Sequence, residues 1–265
     1  MNIQPVTSKD IEEIKELQPD GWPGIEDVFL YYVQAPFCHP VKVLSDRKII
    51  GIGTAVFFAD TGWLAHIIVR VECRNKGVGG GIVRYLLNDL VNGGCRTVLL
   101  IATDLGYPVY KRMGFSHQTD YIFFENKEPA AFFPHQNIIA IKEQDTDEIF
   151  TLDRFVTGED RRILLKDHLE NGYVYRNRLG IGGYFLPSLG SGTVIAKDMK
   201  AGIELIKARC AFTGKAVLPA DNSAGIDFYR RCGYAETNRA KRMIYGKDMD
   251  WQPHRIFNRI GGNFG

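Results

Sequence analysis

A chain of 265 residues, 45% hydrophobic and 24% charged, is long for one core and suits two compact domains of about 120 residues each. Its formal net charge of +2 carries no global field for nucleic acid or an anionic membrane, so neither is expected as a partner. The five cysteines (Cys38, Cys73, Cys95, Cys210 and Cys232) stand singly, without disulfide-framework or zinc spacing, which reads as free thiols in a reducing cytoplasm and no metal site.

The N-terminal MNIQPVTSKDIEEIKEL is polar and acidic where a signal peptide would be apolar, and no apolar run approaches the ~20 residues of a membrane span. TSKDIEEIKELQ (7–18) predicts a helix capped by Thr7, with Asp10 three residues on and Ile11, Ile14 and Leu17 at helical spacing. WPGIEDVFLYYV predicts a second, short helix. VKVLS and IIGIGTAVFF, separated by DRK, predict a hairpin, and GWLAHIIV a third strand. RVECRNKGVGGG then interrupts the pattern with Gly77, Gly79, Gly80 and Gly81. A helical stripe follows at Ile82, Val83, Leu86, Leu87, Leu90 and Val91. RTVLLIA predicts a buried strand, DLGYPVYKRM a short helix with Pro108 in its first turn, and GFSHQTDYIFFE a strand.

NKEPAAFFPHQ (126–136) reads as a linker between domains 1–126 and 136–265. Beyond it the order of elements repeats. NIIAI is a strand, DTDEIFTLDRF and EDRRILLKDHLE are helices, and YVYR, GIGGYFL and GTVIA are strands. A helix with Met199, Ile203, Ile206 and Cys210 on one face comes next, then strand KAVLP, helix SAGIDFYRRC and strand YAETNRAKRMIYG. VYKRMGF (109–115) returns as FYRRCGY (228–234), with Tyr110, Arg112 and Gly114 falling on Tyr229, Arg231 and Gly233. Both signs point to a duplication.

A strand, a glycine-rich turn and a long amphipathic helix make a ready anion site. The first amides of the helix have no intrahelical partner, the macrodipole adds positive charge, and glycines admit phosphate oxygens to the backbone. Arg74 and Lys76 add cations, and no acidic residue interrupts 73–81. The segment lacks the GK[ST] of a Walker loop. A GxGxxG fingerprint fails at Ile82, and no acidic residue is placed to hold a ribose. RxxGxG, by contrast, is matched by Arg74, Gly77 and Gly79.

With the strand IIVRVECRNKGVG before it and ATDLGYPVYKRMGF after it, this motif makes residues 1–125 resemble the GNAT superfamily of acyl-CoA-dependent N-acetyltransferases. The resemblance implies an α/β (α+β) fold of two GNAT-like domains, each a mixed, mainly antiparallel twisted sheet flanked by helices. In that family the cofactor lies in a V-shaped opening between two central strands. It further implies that backbone groups around Ile67 and Val69 pair with the pantetheine arm of acetyl-CoA. The amides of Arg74, Asn75, Lys76, Gly77, Val78, Gly79 and Gly80 would hold the pyrophosphate. Tyr110, at the family's tyrosine position, would protonate the leaving thiolate, since a phenol of pKa near 10 keeps its proton at neutral pH.

The attacking amine must lose a proton. His66 is one candidate base; Glu26, Asp27 and Glu72 are others, and His66 faces away from Ile67 unless a bulge intervenes. Trp22, Asp27 and Tyr31 are candidate acceptor-pocket residues. In the second half AKDMKAG replaces the phosphate loop, with one glycine and Asp198 where a pyrophosphate would sit, although Asn222 and Tyr229 match the family's distal motif. The chain thus resembles tandem GNAT proteins with one catalytic and one degenerate copy. The expected acceptor is the primary amine of a small molecule. A protein or peptide amine, or a non-catalytic acyl-CoA sensor, are the alternatives. Monomer and homodimer are both open.

Overall fold

A computed structural model describes residues 1–128 and 135–265, so much of the expected linker lies outside the described residues. Its contacts divide the chain into two compact units. The first comprises Met1–Ser116, Met243–Lys247 and Gly262–Phe264; the second comprises His117–Arg242, Asp248–Gly261 and Gly265.

The first unit contains β1 (Asn2–Pro5), α1 (Ile11–Lys15), α2 (Ile25–Gln34), β2 (Cys38–Ser45), β3 (Lys48–Phe58), β4 (Thr61–Val69), α3 (Val78–Asn92), β5 (Thr97–Ala102) and α4 (Tyr107–Arg112). Its strands run β1-β2-β3-β4-β5, antiparallel up to β4 and parallel from β4 to β5. Residues 243–247 lie beside β5, with the Lys247 N–H donating to Arg96 O (2.8 Å) and Thr97 Oγ1 to Lys247 O (2.7 Å).

Local chemistry accounts for the joints. Asp46 and Arg47, at φ 49° and 66°, form the two-residue turn whose twist matches a β2–β3 hairpin. The Thr7 N–H donates to Asp10 Oδ2 at 2.7 Å in a capping box. The helix predicted over 7–18 is shorter, a 3₁₀ turn at Ser8–Asp10 running into α1, and Pro19 bars its extension. Helix α3 buries Val78, Ile82, Val83, Leu86, Leu87 and Leu90 against the sheet. Gly53 permits that approach, because a Cβ there would stand 2.7 Å from both Ile67 Cδ1 and Ile82 Cγ2.

The second unit follows with β6 (Ser116–Glu125), β7 (Ile138–Ala140), α5 (Thr146–Thr157), α6 (Arg162–Leu165), β8 (Tyr173–Asn177), β9 (Gly180–Leu186), β10 (Thr193–Ala196), α7 (Met199–Cys210), β11 (Lys215–Pro219), α8 (Ser223–Arg231), β12 (Ala235–Gly246) and β13 (Ile256–Asn258). Strands β13-β10-β9-β8-β7 form one antiparallel sheet, and β11 pairs antiparallel with β6. Ser116, the first residue of β6, and the last residues of β12, from Met243, belong to the first unit. The helix expected over EDRRILLKDHLE is one α-turn, Arg162–Leu165, followed by a 3₁₀ turn. Arg161 is committed there instead to a buried pair with Asp153, Nη2 to Oδ1 at 2.6 Å.

Each copy of the repeated heptapeptide ends a helix. Gly114 and Gly233 adopt φ of 92° and 77°. The next N–H reaches back to the helix in both, Phe115 to Tyr110 O (3.1 Å) and Tyr234 to Tyr229 O (3.0 Å). This is the Schellman stop, completed by Tyr110–Phe115 and Tyr229–Tyr234 ring contacts at 6.0 and 5.0 Å. The echo therefore records a shared backbone requirement for a left-handed residue after an aromatic-bearing helix.

Candidate active site

The parallel ladder between β4 and β5 covers only Thr61↔Thr97, Gly62↔Val98 and Trp63↔Leu99, although β4 continues to Val69 and β5 to Ala102. The divergence has a local cause on the other edge of β4. Ile52 pairs with Ile68 and Thr54 with Ala65, so Gly53 alone faces both His66 and Ile67. This is a β-bulge, and His66 carries it at φ 48°. A bulge bends its strand. Past Trp63 the β4–β5 ladder stops, so Ile67 and Val69 lie beyond its last pair.

At the wide end, β4 leads through a 3₁₀ turn at Val71–Cys73 into Arg74, Asn75 (φ 59°) and Gly77 (φ 82°), and α3 starts at Val78. No side chain caps this fifteen-residue helix. Gly77 is dictated by its backbone conformation, whereas Gly79 is not. A Cβ at 79 would meet only Val69 Cγ2, at an ordinary 3.5 Å, and one at Gly80 only Met113 Cε, at 3.4 Å. These glycines keep the first amides of α3 approachable from outside, and they fit an anionic diphosphate. Arg74 and Lys76 are exposed beside them, with Arg74 Nε donating to Val69 O at 3.0 Å.

Tyr110 lies on α4, in the same core cluster as Val78 and Ile82 at the start of α3. Burial pushes its phenol above the ordinary tyrosine range, so it holds its proton at neutral pH. His66 has different neighbours. The ring stands edge-on to Trp22 (5.9 Å), Phe29 (6.0 Å) and Tyr32 (5.6 Å), and Nδ1 is 2.8 Å from the Tyr32 hydroxyl. Asn263 Nδ2 donates to that same hydroxyl at 2.9 Å. Packing on most sides lowers the imidazole pKa from 6.5 to about 4, although the residue keeps a partly exposed edge.

Of the proposed acceptor residues, Trp22 and Tyr31 join this aromatic group, Tyr31 through Tyr32, Phe37 and Phe264. Asp27 is exposed on α2 and is not part of it. The other carboxylate candidates also lie elsewhere: Glu26 pairs with Lys15 (3.5 Å) and Glu72 approaches Arg70 (3.9 Å). Tyr32, Asn263 and Phe264 escaped the sequence reading. Tyr32 adjoins Tyr31, but nothing in the sequence ties Asn263 to it.

In the second unit the corresponding strand–helix junction is filled from within. Asp198 Oδ1 accepts the Ala201 N–H at 2.9 Å and caps α7. Strand β13 pairs with β10 and also bonds toward β11, Arg259 N–H to Val217 O (2.9 Å) and Val217 N–H to Asn258 Oδ1 (2.8 Å). Strand β13 thus bridges β10 and β11. Phe257 presses on α7, where a Cβ on Gly202 would be 2.1 Å from its ring. Asn222 is spent on structure, bonding Ile256 O (2.9 Å) and capping α8 at Gly225 N (2.8 Å). What remains is a hollow of about 170 Å³ beside Lys197, Asp198, Ser223, His254 and Arg255.

The first unit thus has a mixed sheet with a bulge in β4 and a glycine-led helix after it. Residues 11–115 match the Acetyltransferase (GNAT) family. No curated protein matches the chain. Among solved structures it is similar to a protein from Pyrococcus horikoshii assigned as an acetyltransferase, at 17% identity over 100% of this chain and 95% of that one, TM-score 0.86. It is also similar to GCN5-related N-acetyltransferases from Sphaerobacter thermophilus (13% identity, 95% and 98% covered, TM-score 0.64) and Anabaena variabilis (8%, 92% and 72%, 0.57). At these identities the likeness establishes the fold, which the three share over nearly the whole of this chain.

Among the described residues, no helix is long and apolar enough to cross a membrane, and no group of three or more His, Cys, Asp or Glu could hold a metal ion.

Proposed function

We propose that the protein is an acetyl-CoA-dependent N-acetyltransferase that acylates the primary amine of a small molecule, with the copy at 1–126 catalytic and the copy at 136–265 a scaffold. The observation that carries this reading is the unladdered edge of β4 leading to the uncapped, glycine-lined start of α3.

In this reading bound acetyl-CoA supplies the activated thioester. The amides of Arg74 through Gly80 hold its pyrophosphate, and the backbone of Ile67 and Val69 pairs with the pantetheine arm as a strand would. That geometry holds the thioester close to the acceptor amine. The neutral amine forms the new N–C bond, the C–S bond breaks, and its electron pair goes to sulfur. Tyr110 donates its phenolic proton to that sulfur, and the proton shed by the amine passes to solvent, from which Tyr110 is restored.

Two measurements test the reading: the thermal shift given by acetyl-CoA, and thiol release across a panel of amines. Gly79→Glu, which puts a carboxylate at the mouth of α3, is expected to abolish both. A wild-type protein that neither shifts nor releases thiol with any amine overturns the proposal. A shift without thiol release points to an acyl-CoA sensor instead.

A further inference from the structure

Beyond the last β4–β5 pair, Trp63↔Leu99, the two faces of the sheet differ in what covers them. On β5, Val98, Leu100 and Ala102 pack in the α3 cluster that also holds Tyr110, so Ile101 between them turns to the other face. On β4, Ile67 packs against the same cluster, whereas His66 meets Phe29 and Tyr32 of α2. The segment Gly262–Phe264 belongs to the first unit and reaches both strands on this α2 face. A Cβ on Gly262 would stand 4.0 Å from Ile101 Cβ. Asn263 Nδ2 donates to the Tyr32 hydroxyl at 2.9 Å, and that hydroxyl lies 2.8 Å from His66 Nδ1. Phe264 anchors the segment, its buried ring edge-on to Tyr31 (6.1 Å) and Tyr32 (6.0 Å).

Neither backbone nor crowding requires a glycine at 262. Its φ lies outside the left-handed region, and among the described residues a Cβ would meet nothing closer than that ordinary 4.0 Å contact. What the glycine does is keep the space beside Ile101 free of a side chain, while its neighbours Asn263 and Phe264 are both committed to α2.

We propose that Gly262 is a specificity-determining residue of the acceptor site: Gly262–Phe264 walls the α2 face of the sheet past the end of the β4–β5 ladder, and the space kept free at 262 admits a slim primary amine and excludes a bulky one. The role rests on the acetyltransferase reading for its cofactor and on the contacts of Gly262–Phe264 for the wall. With α3 and Tyr110 packed on one face, the α2 face is the side from which an acceptor approaches these strand ends. The segment also lies outside residues 11–115, so the family match by itself does not define this wall.

Gly262→Leu fills the space without crowding the backbone, and a series of primary amines of increasing bulk reads the result. At saturating acetyl-CoA it is expected to raise the amine KM by about 10-fold, and by more for each added branch, while kcat changes much less. The thermal shift given by acetyl-CoA should match that of the wild type. Asn263→Ala frees the segment from Tyr32 and is expected to do the reverse, weakening the preference for the slimmest amine over the bulkiest by about 10-fold. An unchanged size preference in either variant overturns the proposal, and so does loss of the acetyl-CoA shift in Gly262→Leu, which would put residue 262 against the cofactor. A wild type that neither shifts nor releases thiol refutes the acetyltransferase reading and this role with it. An active wild type beside an indifferent Gly262→Leu refutes this role alone.

Discussion

The Asp198 carboxylate stands 2.9 Å from the N–H of Ala201 and closes the start of α7 with the protein's own negative charge. At the matching place in the first unit Gly77 offers no side chain, and the helix start stays open. The two helix starts thus differ, one capped by a carboxylate and the other by no side chain. Calorimetry is expected to find one acetyl-CoA per chain. Asp198→Ala should leave that stoichiometry at one and cost about 1 kcal/mol of stability, the usual loss of an N-cap. Two equivalent sites in the wild-type protein would contradict the assignment.

Tyr110→Phe removes the proposed proton donor and keeps the ring against Phe115. It is expected to lower kcat by on the order of 100-fold, at the lower end for general acid catalysis, with little change in acetyl-CoA affinity. The phenol's pKa is raised in the folded state by burial, so its contribution to stability is complete below the unfolded value near 10 and fades as pH climbs above it. Chemical denaturation from pH 9 to 11 should show a fall that is smaller in Tyr110→Phe.

His66 carries the opposite sign. Its folded pKa of about 4 lies below the ordinary 6.5 because charging it would require desolvation of the cation. The resulting stability is complete above pH 6.5 and is lost as pH falls toward 4. At roughly 1.4 kcal/mol per unit the loss is at most about 3.5 kcal/mol, and less for a residue that is not fully buried. Urea midpoints measured from pH 7 to 4 should fall more steeply in the wild type than in His66→Gln.

In the second unit, Asp153 accepts from Arg161 through both oxygens, Nη2 at 2.6 Å and Nε at 3.1 Å, and also receives the Tyr184 hydroxyl. All three residues are buried. Asp153→Asn removes the carboxylate charge shared by the buried Arg161 guanidinium and the Tyr184 hydroxyl and is expected to cost about 3–5 kcal/mol, visible as a large drop in melting temperature. A drop of under 1 kcal/mol would mean that Arg161 finds water or another acceptor.

Gly202→Ala probes the packing of β13 on α7. A methyl there would overlap the Phe257 ring, so it must displace β13 or α7 at a cost of about 1–3 kcal/mol. Hydrogen exchange should locate the loosening at residues 256–258 first.

The features legible in the sequence are those set by neighbours in the chain. The stripe of α3, the Asp46–Arg47 hairpin, the cap at Thr7 and the glycine loop at 74–80 depend on residues a few positions apart, and their spacing carries the geometry. Two short edge strands, β1 and β13, escaped because three or four residues hold too little periodicity to announce a strand. The shape of the site was decided at a distance. Only pairing with β3 shows that His66 sits on a bulge, because a bulge is a mismatch between two strands and neither strand's sequence contains it. Tyr32 meets Asn263 across 231 positions, and Asn258 reaches β11 across 41. Such contacts form when the chain returns to bury its apolar surface. Spacing along the chain therefore carries the glycine-led start of α3, while tertiary packing decided the bulge at His66 and the contact of Tyr32 with Asn263, because both need strands and segments far apart in sequence.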